Sequence, residues 1–180
     1  MVSDEQRRAV LRYDNPFVAP PEEREPVRRL RGRLVAPVTV WTAGTAEDPA
    51  GLTVSSLLVA EGDPSRLLGL VDALSDLWER IEGHQRFLVN VLGEGDQGLA
   101  DRFSGARPGP GGPFGGLDTT PSAFGPILPG VDTWAGCRLV EAAEVGYHLL
   151  VQGTLEELAL GDARPLAYHR GRFRRLTGDR

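Results

Sequence analysis

The side chains that most often carry enzyme chemistry are few in this sequence. It contains three histidines (His84, His148 and His169) and one cysteine (Cys137), and all 20 of its basic residues are arginine. The absence of lysine excludes a Schiff-base lysine and a P-loop lysine. The histidines do not have metal-ligand spacing, and no GxSxG, HExxH, GxGxxG or Walker A motif occurs. The residues by themselves therefore predict neither a nucleophile–base pair nor a metal site.

The elements that must position any site are mostly strands. A first hairpin joins PVTVWTA at 37–43 to GLTVSSLLVA at 51–60 through the turn GTAEDPAG. Further β-branched or apolar runs predict strands at 66–72, 86–92, 134–146, 147–160 and 165–173.

Two short helices interrupt the strands. One is predicted at 76–84, headed by the capping pattern of Asp76 and Glu79, and the other at 95–104. Six or seven strands with mostly short connections and so few helical residues predict a mostly β fold, namely a β-barrel with helical decoration.

Two segments fall outside this regular pattern. Residues 4–13 predict a short helix that the prolines of PFVAPPEEREP at 16–26 interrupt, so we interpret 1–33 as an N-terminal arm and 34–180 as the domain. Between 105 and 130, 14 of the 26 residues are Gly or Pro. A loop of this length is a lid, a binding segment or a disordered stretch, and the sequence leaves these alternatives open.

The composition predicts one globular domain located in the cytoplasm. With 180 residues, 41% of them hydrophobic, the chain can bury one core. A net charge of −5 argues against a nucleic-acid-binding protein. There is no run of 18 apolar residues and no secretory signal, so we expect no membrane association. A single cysteine allows no internal disulfide.

Charge is distributed unevenly along the chain. Residues 1–33 carry eight arginines and six acidic residues, and residues 170–180 carry five arginines and one aspartate. The body at 34–169 carries seven arginines and 18 acidic residues. Basic ends on an acidic body could bind an anionic ligand or an acidic face of a partner subunit, or could simply be solvated termini.

Several segments, in order, resemble the flavin reductase-like family. They are PVTVWTAGTAEDPAGLTVSS from 37, SDLWERIEGHQRFLVNVLGEGDQGLADRFSG at 75–105, VGYHLLVQGTL at 145–155 and PLAYHRGRFRRL at 165–176. The likeness covers roughly residues 34–176. It implies an FMN-binding split barrel, an antiparallel Greek-key β-barrel that works as a homodimer with its flavin near the subunit interface.

The resemblance also implies an activity. Members of the family reduce flavin with NADH or NADPH, often to supply a partner monooxygenase, so we expect an oxidoreductase that uses FMN or FAD and takes a nicotinamide nucleotide as co-substrate. The missing acid–base constellation fits this expectation, because hydride transfer is the chemistry of the cofactors and the protein supplies placement and electrostatics.

The same match assigns site residues. Thr53, Val54, Ser55 and Ser56 would line the flavin ring, whose acceptor atoms need donors held in its plane. Ser75 would contact the flavin phosphate at a helix N-terminus, or would only cap that helix. Thr and Ser also suit a half-exposed strand with no ligand at all.

The remaining candidates lie near the helix start and at the end of the chain. Trp78 is a cofactor candidate, with core or interface packing as the alternative. His148 is the candidate catalytic residue beside the nicotinamide, or else a structural strand histidine. Tyr168, His169, Gly171 and Arg172 form the closing segment, where Gly171 permits close backbone approach and arginine can pair with a phosphate.

Departures from the family pattern keep two further hypotheses open. Tyr147 replaces the acid of a Gly-Asp-His element, Asp76 stands where relatives carry a basic residue, and Glu61 replaces part of a Ser-Val-Ser segment. The chain could therefore be a flavin-binding carrier without NAD(P)H reductase activity, or a split barrel that no longer binds flavin and serves in assembly. Independently of function, we predict that Cys137 is buried and that Asn90 makes a structural hydrogen bond.

Overall fold

The fold is mostly β, as expected. The computed structural model describes residues 21–105 and 111–176, the first five of them by their backbone alone. The predicted helix at 4–13 lies outside the described residues. In the described part the helices are α1 (Pro21–Arg33), α2 (Asp76–His84) and α3 (Gln97–Phe103). The strands there are β1 (Ala36–Pro37), β2 (Thr39–Gly44), β3 (Pro49–Val54), β4 (Leu57–Ala60), β5 (Arg66–Val71), β6 (Arg86–Val91), β7 (Thr133–Val145), β8 (His148–Ala159), β9 (Leu166–His169) and β10 (Arg172–Arg175).

Seven strands form one curled antiparallel sheet in the order β3-β2-β6-β7-β8-β5-β4, and β1, β9 and β10 form a small second sheet. The predicted hairpin is confirmed as β2–β3, with Thr39 opposite Val54. The single strand predicted at 51–60 is wrong, because the chain leaves the ladder at Ser55 and Ser56 and continues as β4.

The single strand predicted at 165–173 is also wrong. Arg170 and Gly171 both have positive φ, at 51° and 75°, and turn the chain between β9 and β10. Only glycine adopts this conformation without strain, so the turn depends on Gly171 following Arg170.

The main core lies inside the curl of the sheet. Trp41 stacks on Phe87 with ring centroids 4.8 Å apart, and both are fully buried. The Trp41 ring also fills the space that a side chain at position 69 would take: a Cβ built on Gly69 would lie 2.5 Å from the indole. Cys137 is buried here, as predicted.

A second core joins the small sheet to the main one. Val38 N–H donates to the Leu166 carbonyl, Leu166 N–H to the Leu92 carbonyl, and Leu92 N–H to the Val38 carbonyl. These three buried residues pack with Phe103 of α3. The start of β2 is thereby fixed against β9.

The described part of the Gly/Pro-rich loop, 111–130, is attached to the barrel. The Arg102 guanidinium donates to the Gly115 carbonyl, and Phe114 packs edge-on against Phe103 at 4.9 Å. Farther along, Asn90 makes the predicted structural bonds: its amide donates to the Val40 carbonyl at 3.1 Å and accepts from Leu128 N–H at 2.9 Å. These contacts indicate a structural role for residues 111–130.

Among the described residues, no helix has the length and apolar character needed to cross a membrane.

Candidate functional site

The end of β3 is attached to β5 by one serine. The hydroxyl of Ser56 accepts a hydrogen bond from Leu70 N–H at 2.9 Å and donates to the Leu70 carbonyl at 3.3 Å. This pair of bonds closes the curl where the chain passes from β3 to β4. It also brings the Thr53–Ser56 segment beside the end of β5.

Two adjacent backbone N–H groups at this point have no hydrogen-bond partner among the described residues. Ser55 and Ser56 are half-buried and lie outside the strand ladders. Within 21–105 and 111–176, neither backbone N–H has a hydrogen-bond partner. Unpaired and partly buried N–H groups are costly, so such a pair is suited to a ligand with acceptor atoms along one edge.

The four residues predicted to line the flavin ring, Thr53 to Ser56, make different contacts. The Thr53 hydroxyl donates to the Ala100 carbonyl of α3 at 2.8 Å, and the Ser56 hydroxyl is occupied by Leu70. Val54 is 3% exposed and faces the main core, so only its backbone can reach a ligand. The Ser55 hydroxyl makes no hydrogen bond to another described residue.

Helix α2 begins beside this segment, because Ser75 follows β5 by four residues. Ser75 is the N-cap: its hydroxyl accepts from Trp78 N–H at 3.2 Å and donates to the Asp72 carbonyl at 2.6 Å. The capping pattern predicted on Asp76 is therefore wrong by one residue, although the helix bounds of 76–84 are confirmed. Ser offers a hydroxyl that both accepts and donates in this turn, which the carboxylate of Asp76 cannot do.

Trp78 is partly buried and packs against the main core. This contact corresponds to the packing alternative for Trp78.

The sheet register places His148 near the same end of the barrel. Leu150 lies opposite Leu70 and Leu149 lies opposite Val71, so His148 begins β8 beside the point where β5 ends at Val71. His148 is half-buried, directly after a two-residue turn whose first residue, Gly146, has a φ of 59°. Glycine at the first central position is typical of a type II′ hairpin turn.

The C-terminal segment approaches from the other side. Ala36 of β1 pairs with Tyr168, and β2 begins two residues after β1, next to the end of β3. Tyr168 in turn packs against Phe173, with ring centroids 5.4 Å apart. The structure thus brings Ser55–Ser56, Ser75, His148 and Tyr168 to one end of the barrel, whereas Gly171 and Arg172 lie at the exposed tip of the β9–β10 hairpin.

Charge at this end is divided between two sides. Asp72, Asp76 and Glu79 are exposed around the start of α2. On the other side, Arg170 N–H donates to the Gly32 carbonyl at 3.0 Å, which joins the tip of the β9–β10 hairpin to the last turn of α1. We call the exposed arginines of these two elements the arginine surface: Arg28, Arg29, Arg31, Arg33, Arg170, Arg172, Arg174 and Arg175. None of these forms an ion pair in the part of the chain that the structure describes.

Sequence reasoning missed Asp72. Its carboxylate accepts from Leu74 N–H at 2.9 Å and its carbonyl accepts the Ser75 hydroxyl. The run Asp-Ala-Leu-Ser after a strand is an Asx-turn signal that could have identified this connection.

Comparison with known proteins identifies the fold and its family. Residues 31–177 match the model of the flavin reductase like domain. The chain belongs to this family. The reductase subunit HsaB of a flavin-dependent monooxygenase of Mycobacterium tuberculosis is 31% identical over 81% of this chain and 79% of its own length. An FMN reductase (NADH), RutF of Ancylobacter novellus, is 32% identical over 89% of each chain.

A solved flavin reductase-type structure has the same architecture. The NADH:FAD oxidoreductase SgcE6 of Streptomyces globisporus superimposes with a TM-score of 0.79 over 91% of this chain and 98% of its own, at 25% identity. The expected split-barrel fold of the flavin reductase-like family is thereby confirmed.

The residues at the end of β3 fit the cofactor of such a family. An isoalloxazine carries acceptor atoms along its pyrimidine edge. The backbone N–H groups of Ser55 and Ser56, which have no partner in the described part of the chain, are two adjacent donors. The Ser55 hydroxyl, which has no hydrogen-bond partner among the described residues, adds a third donor.

Proposed function

We propose that this protein is a homodimeric NAD(P)H:flavin oxidoreductase that binds FMN or FAD at the end of β3. The family match supports the reaction class, and the unpaired N–H groups of Ser55 and Ser56 are the observation that supports the place. Relatives named as NADH-dependent FMN reductases support the choice of co-substrate. When bound, the flavin would supply the redox chemistry by accepting a hydride from the nicotinamide.

The chain's own residues hold and orient the ring. Ser55 and Ser56 donate backbone hydrogen bonds to its acceptor edge, and the Ser55 hydroxyl adds a third. Donors placed where electron density increases on reduction stabilise the product, because they need no rearrangement during the reaction. Thr53 and the Ser56 hydroxyl hold this segment in position through Ala100 and Leu70.

We place the flavin phosphate on the side of Arg172 rather than on Ser75. Both hydrogen-bonding functions of the Ser75 hydroxyl are satisfied by Trp78 and Asp72, and the carboxylate of Asp72 lies close by. A phosphate beside these acids would be repelled, whereas Arg172 and Arg170 have no acidic partner among the described residues. Arginine can also bind phosphate with two parallel hydrogen bonds.

His148 is proposed to position the nicotinamide. His148 is the first residue of β8, at the end of the barrel where Ser56 is bonded to Leu70, and it is half-buried. Tyr168 and His169 approach the same region from the small sheet. These side chains would restrict how the nicotinamide lies on the flavin, which accelerates the transfer through orientation.

The homodimer is proposed to use the outer side of the sheet. Leu58 lies opposite Leu68, and Leu70 lies opposite Leu150, so all four point away from the main core. Leu58 is 67% exposed and the other three are half-exposed. We call Leu58, Leu68, Leu70 and Leu150 the outer leucine face; a continuous apolar patch of this kind marks an interaction site.

A partner monooxygenase is the proposed consumer of reduced flavin. Relatives are named as reductase subunits or components of monooxygenases, including the Mycobacterium tuberculosis relative above. We place the reaction in the cytoplasm, where NADH and NADPH are available and a lone buried thiol stays reduced.

The proposal is tested with the purified protein and added FMN, FAD, NADH and NADPH. We expect a flavin absorbance band to elute with the protein and flavin to accelerate NAD(P)H oxidation. A protein that binds no flavin and oxidises no NAD(P)H would refute the proposal.

A second candidate function is flavin binding without reductase activity. Tyr147 stands in the turn before His148 and is 44% exposed, in the position where the family's Gly-Asp-His element has an acid. Without that carboxylate the orientation of the histidine has to come from other groups. Tight flavin binding with negligible NAD(P)H oxidation would favour this candidate.

A further inference from the structure

Helix α1 has an apolar stripe that nothing in the described chain covers. Val27, Leu30 and Leu34 are spaced by three and four residues, which places them on one side of the helix and its C-terminal extension. They are 68%, 63% and 62% exposed. A hydrogen bond from Arg170 N–H to the Gly32 carbonyl joins the end of α1 to the body.

A short helix whose apolar side is exposed has little stability by itself. It has 13 residues and carries Pro26 in its interior, which removes one helical hydrogen bond. Isolated helices of this length are marginal in water, and most helical stability in proteins comes from packing an apolar side against another surface. The stripe of α1 therefore calls for a surface that covers it.

The outer leucine face offers a matching surface on another copy of the chain. Its four leucines are apolar, and acidic residues surround them: Glu141 lies opposite Gln152 in the row of Leu68, Glu61 follows β4, and Asp72 follows β5. Arg66 lies beside Ala60, at the end of the face away from Asp72. The flanks of the α1 stripe carry Arg28, Arg29, Arg31 and Arg33, which are exposed and unpaired among the described residues.

We propose that α1 of one copy packs on the outer leucine face of the second copy, with its apolar stripe on the leucines and its arginines beside the acidic rim. This inference rests on the homodimer of the proposed function and specifies how the two copies join. By two-fold symmetry, each copy gives one arm and receives one.

The consequence for the site follows from the position of Leu70. This residue belongs to the outer leucine face and also holds the Ser56 hydroxyl through its backbone. An arm packed there covers the sheet beside Ser56 and His148 and brings arginines of the second copy to the acidic side of the site. The site of one chain is then completed by the other.

Cysteine crosslinking between separate chains tests this arrangement. Leu30→Cys chains and Leu58→Cys chains, one of them carrying a mass tag, are mixed, allowed to exchange subunits and oxidised. We expect a disulfide-linked heterodimer as the main product. Cys137 does not interfere in the native protein because it is buried.

The controls are the wild-type chain, each single variant alone, and Leu30→Cys mixed with Ala123→Cys, an exposed position on the Gly/Pro-rich loop. If the Leu30→Cys chain crosslinks to the Leu58→Cys chain no better than to the Ala123→Cys chain, the inference is overturned. A Leu30→Cys/Leu58→Cys double variant that closes a disulfide within one chain overturns it as well.

The readout separates this inference from the proposed function. Crosslinking requires no flavin or NAD(P)H, so an inactive protein can still show the expected heterodimer. A protein that reduces flavin as a monomer would overturn the arm inference and leave the reductase activity standing.

Discussion

Ser56 and Leu70 are joined by two hydrogen bonds through one hydroxyl, which accepts from the Leu70 N–H at 2.9 Å and donates to the Leu70 carbonyl at 3.3 Å. Leu70 is the residue before the end of β5, which is followed four residues later by Ser75, and it lies opposite Leu150, two residues after His148. This relationship makes the end of β3 a fixed part of the barrel. It also distinguishes Ser56, whose hydroxyl is bonded to Leu70, from Ser55, whose hydroxyl has no partner among the described residues. The two serines look equivalent in the sequence.

We predict that Ser56→Ala lowers the free energy of unfolding by about 1–2 kcal/mol, because the backbone of Leu70 loses both partners in a partly buried place. Flavin affinity should fall as well, since the segment is no longer held. Urea unfolding and flavin titration measure the two effects. Ser55→Ala is the matched control, with stability near wild type and weaker flavin binding; equal stability loss in both variants would contradict the assignment.

Substitutions of Ser75 distinguish a role in helix capping from a role in phosphate binding. Ser75→Ala should cost about 1 kcal/mol of stability by loss of the N-cap, and Ser75→Thr should retain most of it. If Ser75 only caps α2, neither change should alter the ratio of FMN affinity to riboflavin affinity, because riboflavin lacks the phosphate. A ratio that falls in Ser75→Ala would place the phosphate at α2.

Arg172 is predicted to show the opposite pattern. Arg172→Gln should weaken FMN binding severalfold, leave riboflavin binding unchanged and reduce the salt dependence of FMN affinity, because one phosphate contact is removed. Isothermal titration at two salt concentrations measures this. Arg175→Gln, on the last residue of β10, serves as the comparison; equal effects of both changes would indicate a diffuse field instead of a contact.

His148→Asn is predicted to raise the KM for NADH about tenfold with unchanged flavin affinity, because the histidine orients the nicotinamide and does not hold the flavin. Tyr147→Asp should improve kcat/KM by supplying a carboxylate to the adjacent imidazole. Steady-state kinetics at saturating FMN test both variants. Unchanged kinetics in His148→Asn would make it a structural strand residue.

Burial, and secondly the nearby Glu156 carboxylate, raise the pKa of the Cys137 thiol to about 12. The native state therefore keeps this thiol protonated where the unfolded state has ionised it. Its contribution to stability is present below pH 9 and is lost as the pH rises towards 12. Cys137→Ala should flatten the fall in unfolding free energy over this range, and a thiol reagent should label wild type only after unfolding.

The sequence predicts most of the regular elements because their signals are local, but it does not predict helix α1 (Pro21–Arg33), which starts among prolines and contains Pro26. The helix at 76–84 and the hairpin β2–β3 follow from a cap and a turn, and the burial of Cys137 follows from its strand. The breaks at Ser55–Ser56 and at Arg170–Gly171 were missed. In the first, long-range bonds from Ser56 to Leu70 end the ladder, and no local residue pattern reports them.

The site could be predicted only as a set of segments. Which hydroxyls are free depends on tertiary contacts: Thr53 is bonded to Ala100 and Ser75 to Asp72, whereas Ser55 has no such partner in the described chain. The arginine surface likewise arises because the last turn of α1 meets the β9–β10 hairpin, two elements far apart in the sequence.

The Trp41 indole fills the space that a side chain at position 69 would need, since a Cβ added to Gly69 would lie 2.5 Å from the ring. A larger residue at position 69 can therefore be accepted only in a lineage in which position 41 already carries a side chain smaller than tryptophan. Homologous sequences should show the two sites changing as a pair, and a lone Gly69→Ala exchange should be rare because it would displace the strand that anchors Ser56.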